Sequence, residues 1–208
     1  MQYSDEDRIK AKKQLEQEKK EMEKKQEEER GSIYDEQIDI LGEKCSFTRR
    51  RIGNLPCSIY MPTQFELLSE EAKEMAFIRT KSPQYAYAAD DLPFSMAVNV
   101  AESPLKDEDI RKFLNVSGRL IETMVPKATM VRTYITGTEN FHIGNAEFLS
   151  LGFDGMIYNL MLFASIKGKL TIIDMSTNNS MKKYILPILK EMAESLQLEE
   201  TEDGEDNV

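Results

Sequence analysis

The groups in this chain that could do chemistry are few: one histidine, two cysteines, a run of three arginines, and two polar residues set in apolar stretches. His142 is the only imidazole, so two-histidine metal sites and the H-E-x-x-H arrangement are excluded. A serine nucleophile would need His142 as its base. Ser150 is the nearest hydroxyl, and no Gly-x-Ser-x-Gly elbow occurs. His142 is therefore expected at a strand entrance as a surface or capping residue, and no catalytic residue is assigned. The glycines are scattered among turns, and no Walker or dinucleotide loop can be drawn through them. The acidic runs Asp107-Glu108-Asp109 and 201–206 lack the ligand spacing of a calcium loop. No metal or cofactor is expected.

Three features remain. Arg49-Arg50-Arg51 is the one basic run outside the N-terminal segment. On a strand, Arg49 and Arg51 share a face. The plainer account is an edge strand protected by charge; the other is a site for an acidic or phosphate-bearing partner. Asn159 and Asp174 each interrupt an otherwise apolar strand. A buried polar group must be hydrogen-bonded or costs about 1–3 kcal/mol, so they are either a structural pair or the polar groups of a ligand pocket. Twelve methionines suit an irregular core or an adaptable apolar binding face.

These residues need elements to hold them. The segment 141–178 reads as two tight hairpins, with Asp154-Gly155 as a primed turn and Lys167-Gly168 as the second reversal. Between them, 156–166 is apolar on both alternating faces, which predicts a central strand covered on both sides. Strands are also expected over 43–52, 55–61, 84–88, 94–101 and 129–135. Ser69 caps a short helix that follows it. Residues 107–124 form a longer helix capped by Asp107, with Ile110, Phe113, Leu114, Leu120, Ile121 and Met124 on its apolar face. The last helix covers 180–196, with Met181, Tyr184, Ile185, Ile188, Leu189, Met192 and Leu196 as its stripe. Pro187 sits inside it and predicts a kink.

Residues 1–30 are a run of Glu, Lys and Gln with acid-first pairs four apart, expected as a charged helix or disordered arm. Ile9, Leu15 and Met22 are too sparse for a firm coiled-coil seam, so the chain is expected as a monomer or weak dimer. Residues 31–42 read as a linker or short helix docked on the domain, 43–198 as the domain, and 199–208 as an acidic disordered tail. The net charge of −10, with six acids in that tail, argues against nucleic acid. The charged start lacks the apolar region of a secretory signal and no run is long enough to cross a bilayer, so no membrane insertion and a cytoplasmic location are expected. Cys45 and Cys57 flank a hairpin turning near Gly53-Asn54, with Cys57 facing Arg50 and Cys45 facing Pro62. Both are expected as reduced, structural thiols.

The order of elements, the words SIYMP-x-x-FELL near the start and MIYNLMLFASIKGKLTIIDMS near the end resemble the PsbP-like fold, nearest its bacterial DcrB-like group. In that pattern Ser58–Pro62 opens the domain, Ile143-Gly144-Asn145 marks a turn, and Glu194-Ser195-Leu196 closes it. The resemblance covers about 44–198. It implies an α+β domain with an antiparallel sheet of six to seven strands sandwiched by helices. It also implies a non-enzymatic binding or assembly role: a protein-interaction module, either an adaptor or a secretion-chaperone-like protein that holds apolar segments. The alternative is a small-ligand binder with its pocket between sheet and helix.

Overall fold

A computed structural model of the chain describes residues 31–77, 82–125 and 127–199. The arm over 1–30 and all of the acidic tail but Glu199 lie outside the described residues. Among the described residues twelve strands and three α-helices follow in order: β1 (Ile38–Ile40), β2 (Glu43–Cys45), β3 (Phe47–Arg51), β4 (Cys57–Pro62), β5 (Glu66–Leu67), α1 (Glu70–Ala76), β6 (Tyr85–Ala88), β7 (Phe94–Pro104), α2 (Ile110–Met124), β8 (Thr129–Thr138), β9 (Phe141–Leu151), β10 (Met156–Ile166), β11 (Lys169–Asn178), α3 (Lys182–Glu194) and β12 (Gln197–Leu198).

The frame is a seven-stranded antiparallel sheet in the order β5-β6-β7-β11-β10-β9-β8. Its two faces carry two separate cores. On one, Leu160, Leu162, Ala164, Ile173 and Met175 pack against Ile185, Ile188, Leu189 and Met192 of α3 and against the small sheet β12-β4-β3. On the other, Phe148, Phe163 and Ala146 pack against Ile110, Leu114 and Ile121 of α2. Strand β10 is thus covered above and below, as its doubly apolar pattern requires.

Several expectations need correction. Residues 31–42 dock on the domain through a strand rather than a short helix: Ile33, Ile38 and Ile40 are buried in the larger core, and β1 pairs with β2. The Asp154-Gly155 reversal is a four-residue loop closed by Gly152 N donating to Gly155 O at 2.8 Å, and only Gly155 has positive φ. Lys167 and Gly168, by contrast, both have positive φ, as a primed turn demands. Gly144 and Asn145 lie inside β9 rather than in a turn; a side chain at Gly144 would press on Ile110 and Leu114, so the glycine lets α2 approach the sheet. The first hairpin is shifted by two residues: Phe47 faces Pro62 and Arg51 faces Ser58, while Cys45 bonds Gln64 and Ile52 N bonds Cys57 O. Both thiols are free and buried. Ser69 does cap α1, its hydroxyl accepting from Ala72 N. Asp107 does not cap α2. The helix enters through a tight turn over Asp107–Asp109, and the Asp107 carboxylate accepts from the His142 backbone N–H and holds its ring.

Candidate functional site

Strand register sets the α2 face of the sheet row by row. One row runs Met130, Phe148, Asn159, Ser176, Ser95; the next runs Thr133, Ala146, Met161, Asp174, Ala97. Asn159 and Asp174 therefore share a face as diagonal neighbours on adjacent strands, a separation of about 7–8 Å between backbones. Asn159 is buried and its amide nitrogen is fully engaged, with Ser150 Oγ at 2.9 Å and with the carbonyls of Phe148 and Ile157. Asp174 differs. Its residue as a whole is half-buried, but Oδ1 is shut off from solvent with no hydrogen-bond partner. Burial pushes the carboxyl up to about 7.

The described elements border Asp174 on two sides. Helix α2 lies across β8, β9 and β10, with Gly118 against Met130 on one flank and Phe113 stacked edge-on to Phe163 of β10 on the other, at 5.1 Å. That second flank looks along the sheet toward β11 and β7. It carries Val116, Leu120 and Met124, spaced four apart and 52%, 46% and 78% exposed. Leu120 and Met124 were expected in the core and are instead exposed on that flank. The floor beyond β10 is Met161, Ile172, Asp174, Ser176, Ser95 and Ala97, all half-buried. Gln84, whose N–H donates to Asn99 Oδ1 at 3.3 Å, marks the opposite rim; the buried Lys73 of α1 ties that rim by donating to the carbonyls of Pro83 and Gln84.

Each of the three arginines is bonded within the fold. Arg49 Nη1 donates to Ser195 O at 2.9 Å with its guanidinium over the Tyr60 ring. Arg50 Nη1 donates to Phe65 O, and Arg51 Nε to Leu55 O, at 2.7 Å each, with Glu199 beside Arg51. These side chains tie β3, an edge strand, to the end of α3 and to neighbouring loops. His142 and Ser150 stand eight residues apart along one strand, roughly 27 Å, so the structure does not bring them together.

Sequence reasoning missed the polar cluster on the opposite face. Glu147 is 1% exposed. It accepts from Arg132 Nη2 at 2.6 Å, Tyr134 OH at 3.1 Å and Tyr158 OH, with Lys190 Nζ of α3 at 4.0 Å. Burial pushes its carboxyl up, but the hydrogen bonds from Arg132 and Tyr158 and the charges of Lys190 and Arg132 outweigh it and hold the group below its ordinary value. Burial likewise raises the phenols of Tyr134 and Tyr158, and Glu147 adds to both. The missing signal was the turn at Glu139-Asn140: with Thr138 facing Phe141, the register places Arg132 against Glu147. A cleft of about 640 Å³ opens between that turn and the end of α3, lined by Thr136, Asn140, Phe141, Glu194 and Leu198; it touches neither Asn159 nor Asp174.

No protein-family model matches the chain, and no curated protein does. Among solved structures, the cyanobacterial PsbP (CyanoP) from Synechocystis sp. PCC 6803 superposes with a TM-score of 0.51 at 13% identity, over 73% of this chain and 92% of that one. PA94 of Pseudomonas aeruginosa, described as a putative regulator, gives 0.44 at 9% identity over 74% and 99%. LpqN, involved in cell envelope biogenesis of Mycobacterium tuberculosis, gives 0.46 at 9% over 77% and 95%. The fold is PsbP-like: an α+β domain whose antiparallel sheet is covered by helices on both faces. Among the described residues no helix is long and apolar enough to cross a membrane.

Proposed function

We propose that this is a non-enzymatic protein-interaction module, adaptor-like or chaperone-like, that holds an apolar helix of a partner protein in a trough beside α2. The observation that carries the reading is the pairing of an exposed apolar wall, Val116, Leu120 and Met124, with a floor holding an unpaired carboxyl at Asp174. From β10 to β6 the trough spans three strand spacings, about 14 Å, which accommodates a helix about 10–12 Å across. Helix-in-groove recognition uses such apolar anchors, and Asp174 selects a partner with Lys or Arg among them. The methionines at 124 and 161 supply adaptable contact. Arg49 and Arg51 lie on β3, away from this trough, and each is already bonded within the fold, so they are not assigned to this partner.

A photo-crosslinker at Leu120 or Met124 tests this. Each should capture one partner through an apolar helical segment bearing a basic residue, and the same crosslinker at exposed Tyr34 should not. Asp174→Asn should weaken capture and Leu120→Asp should abolish it. Equal capture at Tyr34, or capture of a segment without a basic residue, overturns the reading.

The unpaired Oδ1 of Asp174 beside Asn159 also favours a small cationic ligand held between sheet and helix. A saturating ligand then raises the melting temperature by linkage, and Asn159→Leu removes the shift. A broad metabolite screen without any shift rejects this second reading.

A further inference from the structure

Strand β8 ends the large sheet. Its ten residues pair with β9 on one side and with no described strand on the other. Edge strands usually carry devices that discourage further pairing: charges, prolines, bulges or shortness. At the far end of the same sheet β5 is only two residues long, and the edge strand β3 carries three arginines. Strand β8 reads Thr-Met-Val-Arg-Thr-Tyr-Ile-Thr-Gly-Thr, rich in β-formers, with no proline or acid; its one irregularity lies between Met130 and Arg132, and the run from Arg132 to Thr138 that carries the proposed axis pairs with β9 without a break. Its one charge, Arg132, is drawn onto Glu147. Residues Val131, Arg132 and Thr133 are exposed.

We propose that β8 pairs antiparallel with β8 of a second copy of this chain, across a two-fold axis at Thr133. The flank of α2 supports the register. Helix α2 runs antiparallel to β8: Ile110 and Leu114 lie over Gly144, which faces Ile135, while Gly118 meets Met130 and Glu122 Oε1 accepts from Met130 N. Arg111 thus sits near the level of Ile135 and Glu122 near that of Met130, on either side of Thr133. Helical spacing puts Arg111, Asn115 and Glu122 on the flank that faces past β8, and all three are exposed. The two-fold axis brings Arg111 of each copy to Glu122 of the other. On the opposite face the same register sets Arg132 against Tyr134 of the second copy, extending the stacking that Arg132 already makes on its own Tyr134. The two α2 axes come to lie two to three strand spacings apart, about 10–14 Å, within reach of the arginine–glutamate pairs. The charge of the seam is balanced although the chain carries −10.

Sedimentation of the full-length chain over a concentration series tests the pairing. The wild type should show a concentration-dependent dimer, with β8 amides gaining hydrogen-exchange protection as it forms. Thr133→Lys, which sets two ammonium groups across the axis, should leave a monomer with an unchanged circular dichroism spectrum. Arg111→Glu and Glu122→Arg should each weaken the dimer by about tenfold, because every substitution acts twice and adds like-charge repulsion. The double variant Arg111→Glu/Glu122→Arg should recover wild-type association. A chain that stays monomeric up to on the order of 100 µM overturns the proposal. So does a dimer that ignores Thr133→Lys and both charge reversals, since its contact must lie elsewhere, and so does a charge swap that fails to restore it.

Discussion

The two faces of the large sheet each take up a carboxylate, and they treat it in opposite ways. On the α3 face Glu147 is met by an arginine, two phenols and a lysine, and stays ionised below its ordinary range. On the α2 face Asp174 has an oxygen buried with no partner, and its carboxyl is pushed up to about 7. Burial is common to both; the supply of donors differs. A satisfied network closes the α3 face as a structural core. The unsatisfied group on the α2 face is the observation on which the proposed trough rests.

The largest effect should come from breaking the satisfied side. Glu147→Leu leaves Arg132, Tyr134 and Tyr158 without their acceptor and should cost about 3–5 kcal/mol, read by chemical denaturation. Next is the relief of the unsatisfied side. Asp174→Leu should raise stability at pH 8 by about 2–4 kcal/mol, because a carboxyl shifted from 3.8 to about 7 must otherwise ionise in a buried place. A pH titration of stability sharpens the contrast. Between about pH 4 and 7 the unfolded chain has lost the Asp174 proton that the folded chain still holds. Unfolding then releases a proton, and the Asp174 contribution makes stability fall as pH rises, levelling off above 7. Glu147, depressed in the fold, contributes the opposite slope: its stabilisation is present above its unfolded value near 4.5 and is lost as acid protonates it. Asp174→Leu should remove the first slope and leave the second. The smallest effect on stability is expected at the trough wall, where Leu120→Asp should stay within roughly 0.5 kcal/mol while abolishing partner capture. A loss of several kcal/mol there would mean the wall is core.

The contrast was half legible in the chain. Strand β10 announces itself by apolar residues on both faces, and Asn159 and Asp174 stand out because they interrupt apolar runs. Periodicity also located α2 and α3. It could not say where the stripe on α2 stops being buried: Ile121 and Met124 read alike, yet one meets Phe148 in the core and the other is exposed. That boundary depends on how many strands the helix spans, which is tertiary geometry. Glu147 was hidden for another reason. Alternation along Phe-His-Ile-Gly-Asn-Ala-Glu sets it on the face of the apolar Phe141 and Ile143, but nothing within the strand names a partner there, because its partners lie on β8, β10 and α3. Only the register of three strands brings them together. The acceptors of the arginine run were likewise out of reach of the sequence, because they are mostly backbone carbonyls both near and far along the chain.

Two ties between the ends of the domain set a clock on the making of the protein. Arg49 donates to the carbonyl of Ser195, 146 residues later, and Ser32 donates to Glu191, 159 residues later. Strand β12 completes the small sheet by pairing with β4. At a synthesis rate of about 5–20 residues per second, about 7–30 s separates the emergence of Arg49 from that of Ser195. Throughout that interval β3 and β4 wait on the ribosome without the helix that covers them. Cys45 and Cys57, pushed by burial up to about 11 and about 12 in the finished fold, are ordinary reactive thiols until then. An oxidant pulse should therefore mark these two cysteines in nascent chains and spare them minutes after release.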